Sequence, residues 1–269
     1  MVNTSTVSVL APLPLALAAL AAVGGGMINA IAGGGTLLTF PALIALGVPP
    51  IMANATSTVA LWPGLLTSFW NYRGALRGAR AWTVRWALPS LLGGGTGAVL
   101  LLLTPEQKFA DSVPWLIWGA TLLFVLQGPA MRWVVGHAKP VADGDPLPAP
   151  PFGFLVLQFF LSIYGGYFGA GNGILMLAAL GMMGLTNIHT MNGLKGWAGL
   201  NINIVAVLIF AISGIVNWRL ALIMAVGAAV GGAIGARLAQ RVGQQWVRRA
   251  IIGIGLGSGT WMLLQRLGV

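Results

Sequence analysis

The chain has 269 residues, of which 57% are apolar and only 7% are charged, and its mean hydropathy is +0.88. Soluble domains carry about a quarter charged residues, so this composition excludes a soluble globular protein. At roughly 20 residues per crossing, the length allows at most about ten membrane helices with short connections and leaves no room for an extramembrane domain. The sequence therefore predicts an all-α, polytopic integral membrane protein.

Fourteen Lys and Arg residues against four Asp and Glu residues give a formal net charge of +10. In a soluble chain this balance would suggest nucleic-acid binding, but here the basic residues lie mostly between apolar runs, where they indicate the cytoplasmic side of a membrane. The absence of cysteine excludes disulfides and Cys-based metal or redox sites. No Lys or Arg precedes Arg73; the N-terminal apolar segment thus lacks the basic region of a signal peptide, and we expect it to belong to the mature fold.

Ten apolar segments follow one another along the chain, five before and five after a polar, Pro-rich connection at 137–151. Each segment predicts a helix. The predicted helices span 13–32, 36–48, 53–71, 86–103 and 114–132, followed by 152–170, 173–185, 191–213, 219–238 and 247–265.

The two sets of five segments resemble each other when the sequence is aligned with itself, without a gap, so that Asn54 falls on Asn192. We call this shift the repeat offset. It also places Gly33 on Gly171, Gly35 on Gly173, and Gly93, Gly94, Gly97 and Ala98 on Gly231, Gly232, Gly235 and Ala236. We therefore predict a first repeat at 10–134, a linker at 135–151 and a second repeat at 152–266.

Arginine clusters predict that the two repeats are inverted. The first half carries its cluster between its third and fourth segments, and the second half between its fourth and fifth. Both clusters should face the cytoplasm, so the halves cross the membrane in opposite senses. The central linker is then cytoplasmic, and both termini, the turn at 214–219 and the loop at 104–112 are external. The clusters are Arg73, Arg77, Arg80 and Arg85, and Arg237, Arg241, Arg248 and Arg249.

In this scheme the first two segments of each half must return to the side where they began. The second arm has only about 11 to 13 residues, too few for a full crossing, which predicts a broken or re-entrant hairpin. The tips are Gly33-Gly34-Gly35 and Gly169-Ala170-Gly171-Asn172-Gly173. Unpaired backbone groups at such breaks require burial in protein or a polar cavity, and a short helix starting at Thr36 or Ile174 would aim its N–H groups at an anion. The alternative is that glycines only allow close helix packing, which we favour for Gly93, Gly94, Gly97, Gly231, Gly232 and Gly235.

A polar stripe follows the second tip: Asn192, Lys195, Gly199 and Asn203 share one helical face. An intramembrane charge is costly, so Lys195 is a candidate site residue, although it could also snorkel to the cytoplasmic surface. Asn54 and Asn192 could instead cap their helices. His189 is a candidate for coupling because it can titrate near neutral pH, with a structural role as the alternative.

The four acidic residues, Glu106, Asp111, Asp143 and Asp145, all fall in predicted loops. A cation transporter would normally need a carboxylate within the membrane, so the substrate is predicted to be an anion. The sequence has no Walker motif, no metal-ligand cluster and no GxSxG nucleophile, which predicts a protein that is not an enzyme and that has no cofactor and no metal.

These motifs resemble the TauE/SafE (TSUP) family of membrane permeases, named for sulfite and organosulfonate export. The resemblance covers about 20–265 and implies transport of a small sulfur-containing or related organic anion such as sulfite, sulfoacetate or thiosulfate. The sequence departs from a perfect duplication where Ser57 stands opposite Lys195. The residues that carry the resemblance are 33–41 (GGGTLLTFP), 47–49 (GVP), 53–57 (ANATS), 165–173 (GGYFGAGNG) and 192–195 (NGLK).

Together, these observations predict a secondary transporter, an anion exporter of the bacterial inner membrane that works by alternating access. A channel-like pore and a non-transporting accessory protein are the alternatives. The expected partners are the small anionic substrate, the lipid bilayer and a coupling ion, H⁺ or Na⁺, with a homo-oligomer as one option for the assembly. The predicted substrate-binding residues are Gly33, Gly34, Gly35, Thr36, Asn54, Ser57, Gly171, Asn172, Gly173, Asn192, Lys195 and Asn203.

Overall fold

The computed structural model describes residues 12–31, 33–137, 147, 149–238 and 244–267. All regular secondary structure in these ranges is helical, as expected where hydrocarbon forces each backbone N–H and C=O to pair within its own segment. The helices are α1 Pro12–Ile31, α2 Thr36–Ala45, α3 Pro50–Tyr72, α4 Arg80–Leu103, α5 Glu106–His137, α6 Phe152–Tyr167, α7 Asn172–Met182, α8 Ile188–Ser213, α9 Trp218–Leu238 and α10 Gln244–Leu267, with a 3-10 turn at Arg73–Leu76.

The lengths of the helices confirm a polytopic membrane protein. Within the described residues, five helices are long and apolar enough to cross a membrane: α1, α4, the Glu106–Leu126 part of α5, α8 and α9. In contrast, α2 and α7 have 10 and 11 residues, which corresponds to about 15 Å, or half of the hydrocarbon thickness. The second arm of each predicted hairpin is therefore short, as expected.

The predicted loop at 104–112 is wrong, because α5 begins at Glu106. The acidic side chains of Glu106 and Asp111 thus lie in the first two turns of a helix, where negative charge is favourable. The Glu106 carboxylate also accepts a hydrogen bond from the N–H of Ile51 at 3.0 Å. The charged residues of this segment led to the prediction of a loop. They do not prevent a membrane helix, because they lie in the first two turns of α5. Asp143 and Asp145 lie outside the described residues.

The long arm of each hairpin packs against a glycine-rich helix of the other half: α1 against α9, and α6 against α4. A Cβ atom on Gly231 would collide with the carbonyl oxygen of Val23, and one on Gly97 with the carbonyl oxygen of Ile163. Gly93, Gly94, Gly232 and Gly235 are similarly close to backbone atoms of neighbouring helices. The predicted packing role of these six glycines is confirmed.

Contacts between helix ends define two opposite ends of the bundle. At one end, Glu106 bonds to the start of α3, and the N–H of Asn217 donates to Thr56 Oγ1 at 3.0 Å, which brings the α8–α9 connection to the same place. At the other end, Thr190 Oγ1 at the start of α8 donates to the carbonyl of Ala75 at 3.3 Å. We call these the Glu106 end and the Ala75 end.

The arginine-rich Ala75 end should face the cytoplasm. Because the chain has no cysteine, single-cysteine variants can be labelled without background. In intact cells, a membrane-impermeant maleimide should label the exposed positions of Gln107→Cys and Ser213→Cys, but should label Ala81→Cys only after permeabilisation. Labelling of Ala81→Cys alone in intact cells would mean that the orientation is reversed.

Candidate functional site

The first hairpin turns at Gly33, whose φ of +78° is a left-handed conformation that favours glycine. The Gly33 N–H donates to the carbonyls of Ile28 and Asn29, both at 3.1 Å, and closes α1. The side chain of Asn29 reaches across the turn, where its Oδ1 accepts the N–H of Gly35 at 2.8 Å. These bonds fix the angle at which α2 leaves α1.

The second hairpin turns through two left-handed glycines, Gly169 (φ +76°) and Gly171 (φ +75°). Tyr164 stabilises this turn twice: its carbonyl accepts the Gly169 N–H at 3.0 Å, and its hydroxyl donates to the carbonyl of Ala170 at 2.5 Å. The short helix α7 starts directly afterwards, at Asn172.

The two tips touch each other through backbone atoms. A Cβ atom on Gly33 would lie 2.7 Å from the Cα atom of Gly173, so Gly33 has no room for a side chain. Helix α5 packs behind both tips, with the ring of Phe124 against Gly34 and Ala120 against Gly171. The N-terminal ends of α2 and α7 therefore meet inside the bundle.

A cavity of about 60 Å³ lies where the tips meet, between the tips, α3 and α8. One water needs roughly 10–15 Å³ on this measure, so the cavity has room for a molecule of a few non-hydrogen atoms. Four apolar residues, Leu61, Leu65, Phe168 and Met176, complete the lining. Its polar side chains are Asn29, Thr36, Thr58, Ser68, Asn172, Lys195 and Asn203, and its glycines are Gly33, Gly165, Gly169, Gly173, Gly196 and Gly199.

Lys195 is the only charged residue among the described lining residues. It lies about 10 Å along α8 from Ile188, and its side chain is 7% exposed. Its Nζ atom is buried and has no hydrogen-bond partner among the described residues. The side chain thus points inward instead of snorkelling to the surface. A buried, unpaired ammonium group is costly unless a counter-charge is supplied.

The amide side chains in the cavity differ in how many of their atoms are already paired. Asn203 Nδ2 donates to the carbonyl of Gly199 at 2.8 Å, and Asn29 Oδ1 already accepts the N–H of Gly35. Asn172 packs against Gly165, and its Oδ1 is buried without a partner in the described chain. Unpaired groups therefore remain on Asn172 and Lys195, at the centre of the site.

Six of the twelve predicted site residues line the cavity: Gly33, Thr36, Asn172, Gly173, Lys195 and Asn203. The other six do not. Gly34, Gly35 and Gly171 shape the tips behind it. Ser57 is buried with its Oγ 2.6 Å from Thr39 Oγ1, and Asn192 is buried with an unpaired Oδ1.

Asn54 belongs to the wall around the tips. Its Nδ2 donates to the carbonyl of Tyr167 at 2.9 Å, which satisfies the end of α6. Neither Asn54 nor Asn192 caps its helix, because α3 follows Pro49 and the cap of α8 is Asn187, whose Oδ1 accepts the N–H groups of His189 and Thr190. The capping interpretation is wrong.

His189 lies outside the cavity. It is exposed, with its ring centroid 6.3 Å from that of Tyr72. Its role in coupling stays a prediction. The described residues contain no group of His, Asp or Glu side chains that could hold a metal ion.

The sequence reasoning missed three polar lining residues, Asn29, Thr58 and Ser68. A signal for two of them existed. The repeat offset places Thr58 on Gly196, next to Lys195, and Ser68 continues the same face of α3 at helical spacing. The polar stripe of α8 itself falls on Asn54, Ser57, Leu61 and Leu65, of which only the two leucines line the cavity, between Thr58 and Ser68.

A family model described as sulfite exporter TauE/SafE matches residues 17–262. The chain belongs to this family. A probable membrane transporter protein, ORF9, of a Sinorhizobium species is 29% identical over 218 residues, 79% of this chain and 78% of the relative. A probable membrane transporter protein of Haemophilus influenzae is 28% identical over 208 residues, 75% of each chain. The probable membrane transporter protein YfcA of Escherichia coli is 26% identical over 245 residues, 90% of this chain and 86% of YfcA.

The match to the TauE/SafE family and the five candidate spans identify a multi-pass membrane transporter. The family and the names of these relatives indicate a transporter and not an enzyme. The cavity at the tips is the part of the described chain that combines helix ends, amides and a buried charge.

Contact between the tips can be tested by comparing Gly33→Ala with Gly47→Ala. Both glycines have a left-handed φ, of +78° and +81°, but nothing lies within 4 Å of a Cβ on Gly47. Each variant should lose roughly 1–2 kcal/mol from backbone strain. Gly33→Ala should lose more, because its methyl group also collides with Gly173. Equal decreases in the melting temperature of the detergent-solubilised proteins would argue against a close contact between the tips.

Proposed function

We propose that this protein is a secondary transporter that exports a small sulfur-containing or organic anion across the bacterial inner membrane by alternating access. The observation that carries the proposal is the ammonium group of Lys195, which is buried in the cavity without a partner in the described chain. A transported anion would supply the counter-charge that this group lacks.

The charge balance around the cavity favours an anion. The acidic residues of the described chain are Glu106 and Asp111, and both lie in the first two turns of α5, at the Glu106 end and away from the cavity lining. A cation bound beside Lys195 would be repelled and would have no carboxylate to neutralise it. An anion would be attracted, and the low polarity of the surroundings would strengthen this attraction.

Backbone geometry favours an anion as well. The first N–H groups of a helix have no intrahelical acceptor, and they lie at the positive end of the helix dipole. Two short helices begin at lining residues, α2 at Thr36 and α7 at Asn172. Several of these N–H groups already donate within the tips, those of Leu37 and Leu38 to the carbonyls of Gly34 and Gly35 and that of Ile174 to the carbonyl of Gly171. The helix ends therefore add chiefly positive potential to the charge of Lys195, as in transporters whose discontinuous helices point at anionic groups.

Family membership narrows the substrate class. The family is described as a sulfite exporter family, and a cavity of about 60 Å³ suits a compact anion. We propose sulfite, thiosulfate or a small sulfonate such as sulfoacetate as the transported species. Coupling to H⁺ or Na⁺ is part of the proposal.

Alternating access fits the way the helices pair. The contact of α1 with α9 has a counterpart in the contact of α6 with α4, and α9 contacts α3 as α4 contacts α8. These are the pairings that two inverted repeats at 10–134 and 152–266 would make, and they support such a duplication. Inverted repeats allow one set of helices to rock against the other around a site between them.

Lys195→Met tests the role of the charge. Replacement of a buried unpaired ammonium by an apolar side chain of similar size should raise the melting temperature of the anion-free protein, because the desolvation cost disappears. Sulfite at a hundredfold excess over its Kd should stabilise the natural protein by about 5 °C or more, and this shift should vanish in Lys195→Met. Sulfite flux into proteoliposomes should vanish with it.

Lys108→Met is the matched control, because Lys108 is an exposed lysine on α5. This variant should keep both the thermal shift and the flux. A Lys195→Met protein that still transports sulfite at the natural rate would remove Lys195 from the mechanism. Counterflow of labelled sulfite into preloaded vesicles distinguishes a carrier from a channel, which gives no counterflow, and from an accessory protein, which gives no flux.

A further inference from the structure

Four aromatic rings pack together on the side of the cavity that faces the Glu106 end. Phe168 lines the cavity, and its ring centroid lies 5.5 Å from that of Phe40 and 6.4 Å from that of Phe109. Phe40 and Phe109 are 6.4 Å apart, and Tyr167 lies 5.8 Å from Phe109. Phe40 and Phe109 are fully buried and Phe168 is 3% exposed. The rings therefore form a continuous apolar barrier.

A second cavity, a groove of about 270 Å³, lies beyond these rings at the Glu106 end. Ile44, one turn after Phe40 on α2, contributes to its lining, and so does Val113, one turn after Phe109 on α5. The groove also contains the polar side chains of Gln107 and Asp111. Phe40 and Phe109 thus belong to helices that line the groove, and their side chains pack against Phe168, which lines the inner cavity.

We propose that Phe40, Phe109 and Phe168 are the outer gate of the transport path, and that the groove at the Glu106 end is the vestibule into which the anion is released. This inference rests on the proposed function. An apolar constriction excludes water and ions while its walls touch, and it conducts when they separate. The three rings belong to α2, α5 and the α6–α7 connection, so movement of either hairpin relative to α5 separates them.

The repeat does not reproduce this ring cluster, although a different set of buried rings packs around Phe154 at the start of α6, outside the cavity lining. At the repeat offset, Phe40 corresponds to Ala178 and Phe109 to Val247. The second half therefore does not supply an equivalent set of rings towards the Ala75 end. The barrier formed by Phe40, Phe109 and Phe168 therefore does not follow from duplication of the fold.

Reagent access to the cavity tests the gate without a substrate. In Thr58→Cys, the cavity carries the chain's single thiol. Sulfonatoethyl methanethiosulfonate, which is anionic and does not cross membranes, is added to intact cells and its reaction rate is measured. Combining Thr58→Cys with Phe109→Ala should raise the rate at least about tenfold, because the labelling rate follows the fraction of time that the path is open.

Phe154→Ala is the matched control, since Phe154 is a buried ring that packs on Trp82 and Trp86 and does not line the cavity. It should leave the labelling rate within about twofold of that of Thr58→Cys alone. Equal acceleration by Phe154→Ala, or no acceleration by Phe109→Ala, would overturn the gate. If Phe109→Ala does not fold, Phe109→Leu, which keeps much of the apolar volume, should give a smaller acceleration in the same direction.

The outcome for the gate is separate from that for the proposed function. Faster labelling without any anion flux would leave the gate in place and contradict the transport proposal. Sulfite flux with a labelling rate that does not respond to Phe109→Ala or Phe109→Leu would contradict the gate alone.

Discussion

The structure depends on the backbone contact between Gly33 and Gly173. Each hairpin ends its long arm inside the bundle, and hydrocarbon does not tolerate the unpaired backbone groups that such a break leaves. Bringing the two breaks together encloses them in one polar cavity. A side chain at Gly33 would push the tips apart, and the N-terminal ends of α2 and α7 would no longer face the same space.

The placement of charge follows from this contact. The cavity already carries the positive ends of two helices, so an acidic side chain would have neutralised it, whereas Lys195 reinforces it. The described lining supplies no counter-charge. The free energy of desolvating Lys195 is therefore highest when the cavity is empty and falls when an anion binds. In the proposed mechanism, this difference favours the anion-loaded state for any step in which the site is sealed from water.

Much of the fold could be predicted because membrane helices are long and apolar, and both properties can be read directly from the sequence. All ten predicted segments correspond to helices, although α5 begins at Glu106, two turns before the predicted start, because charges at a helix end do not stop a helix. The residues of the candidate site were harder to predict. Lys195 stands out as a charge within an apolar segment, but Asn54 and Ser57 carry the same polar signal and instead bond to Tyr167 and Thr39. These polar residues differ in the direction in which their side chains point, and the amino-acid composition of a segment does not contain that information.

The two walls of the cavity come from equivalent positions of the two halves, but only one wall carries a charge. The repeat offset relates Thr58 to Gly196, Leu61 to Gly199 and Leu65 to Asn203, and all six of these residues line the cavity. Equivalent residues of the two halves thus line one shared cavity instead of two separate sites. Ser57, the counterpart of Lys195, turns away to Thr39. A second lysine in so small a space would repel the first and would leave the empty cavity with two buried, unpaired charges instead of one. Equivalent positions of the two halves thus line the cavity while the charge is placed on α8 alone, which fits the compact anion that we propose as the substrate.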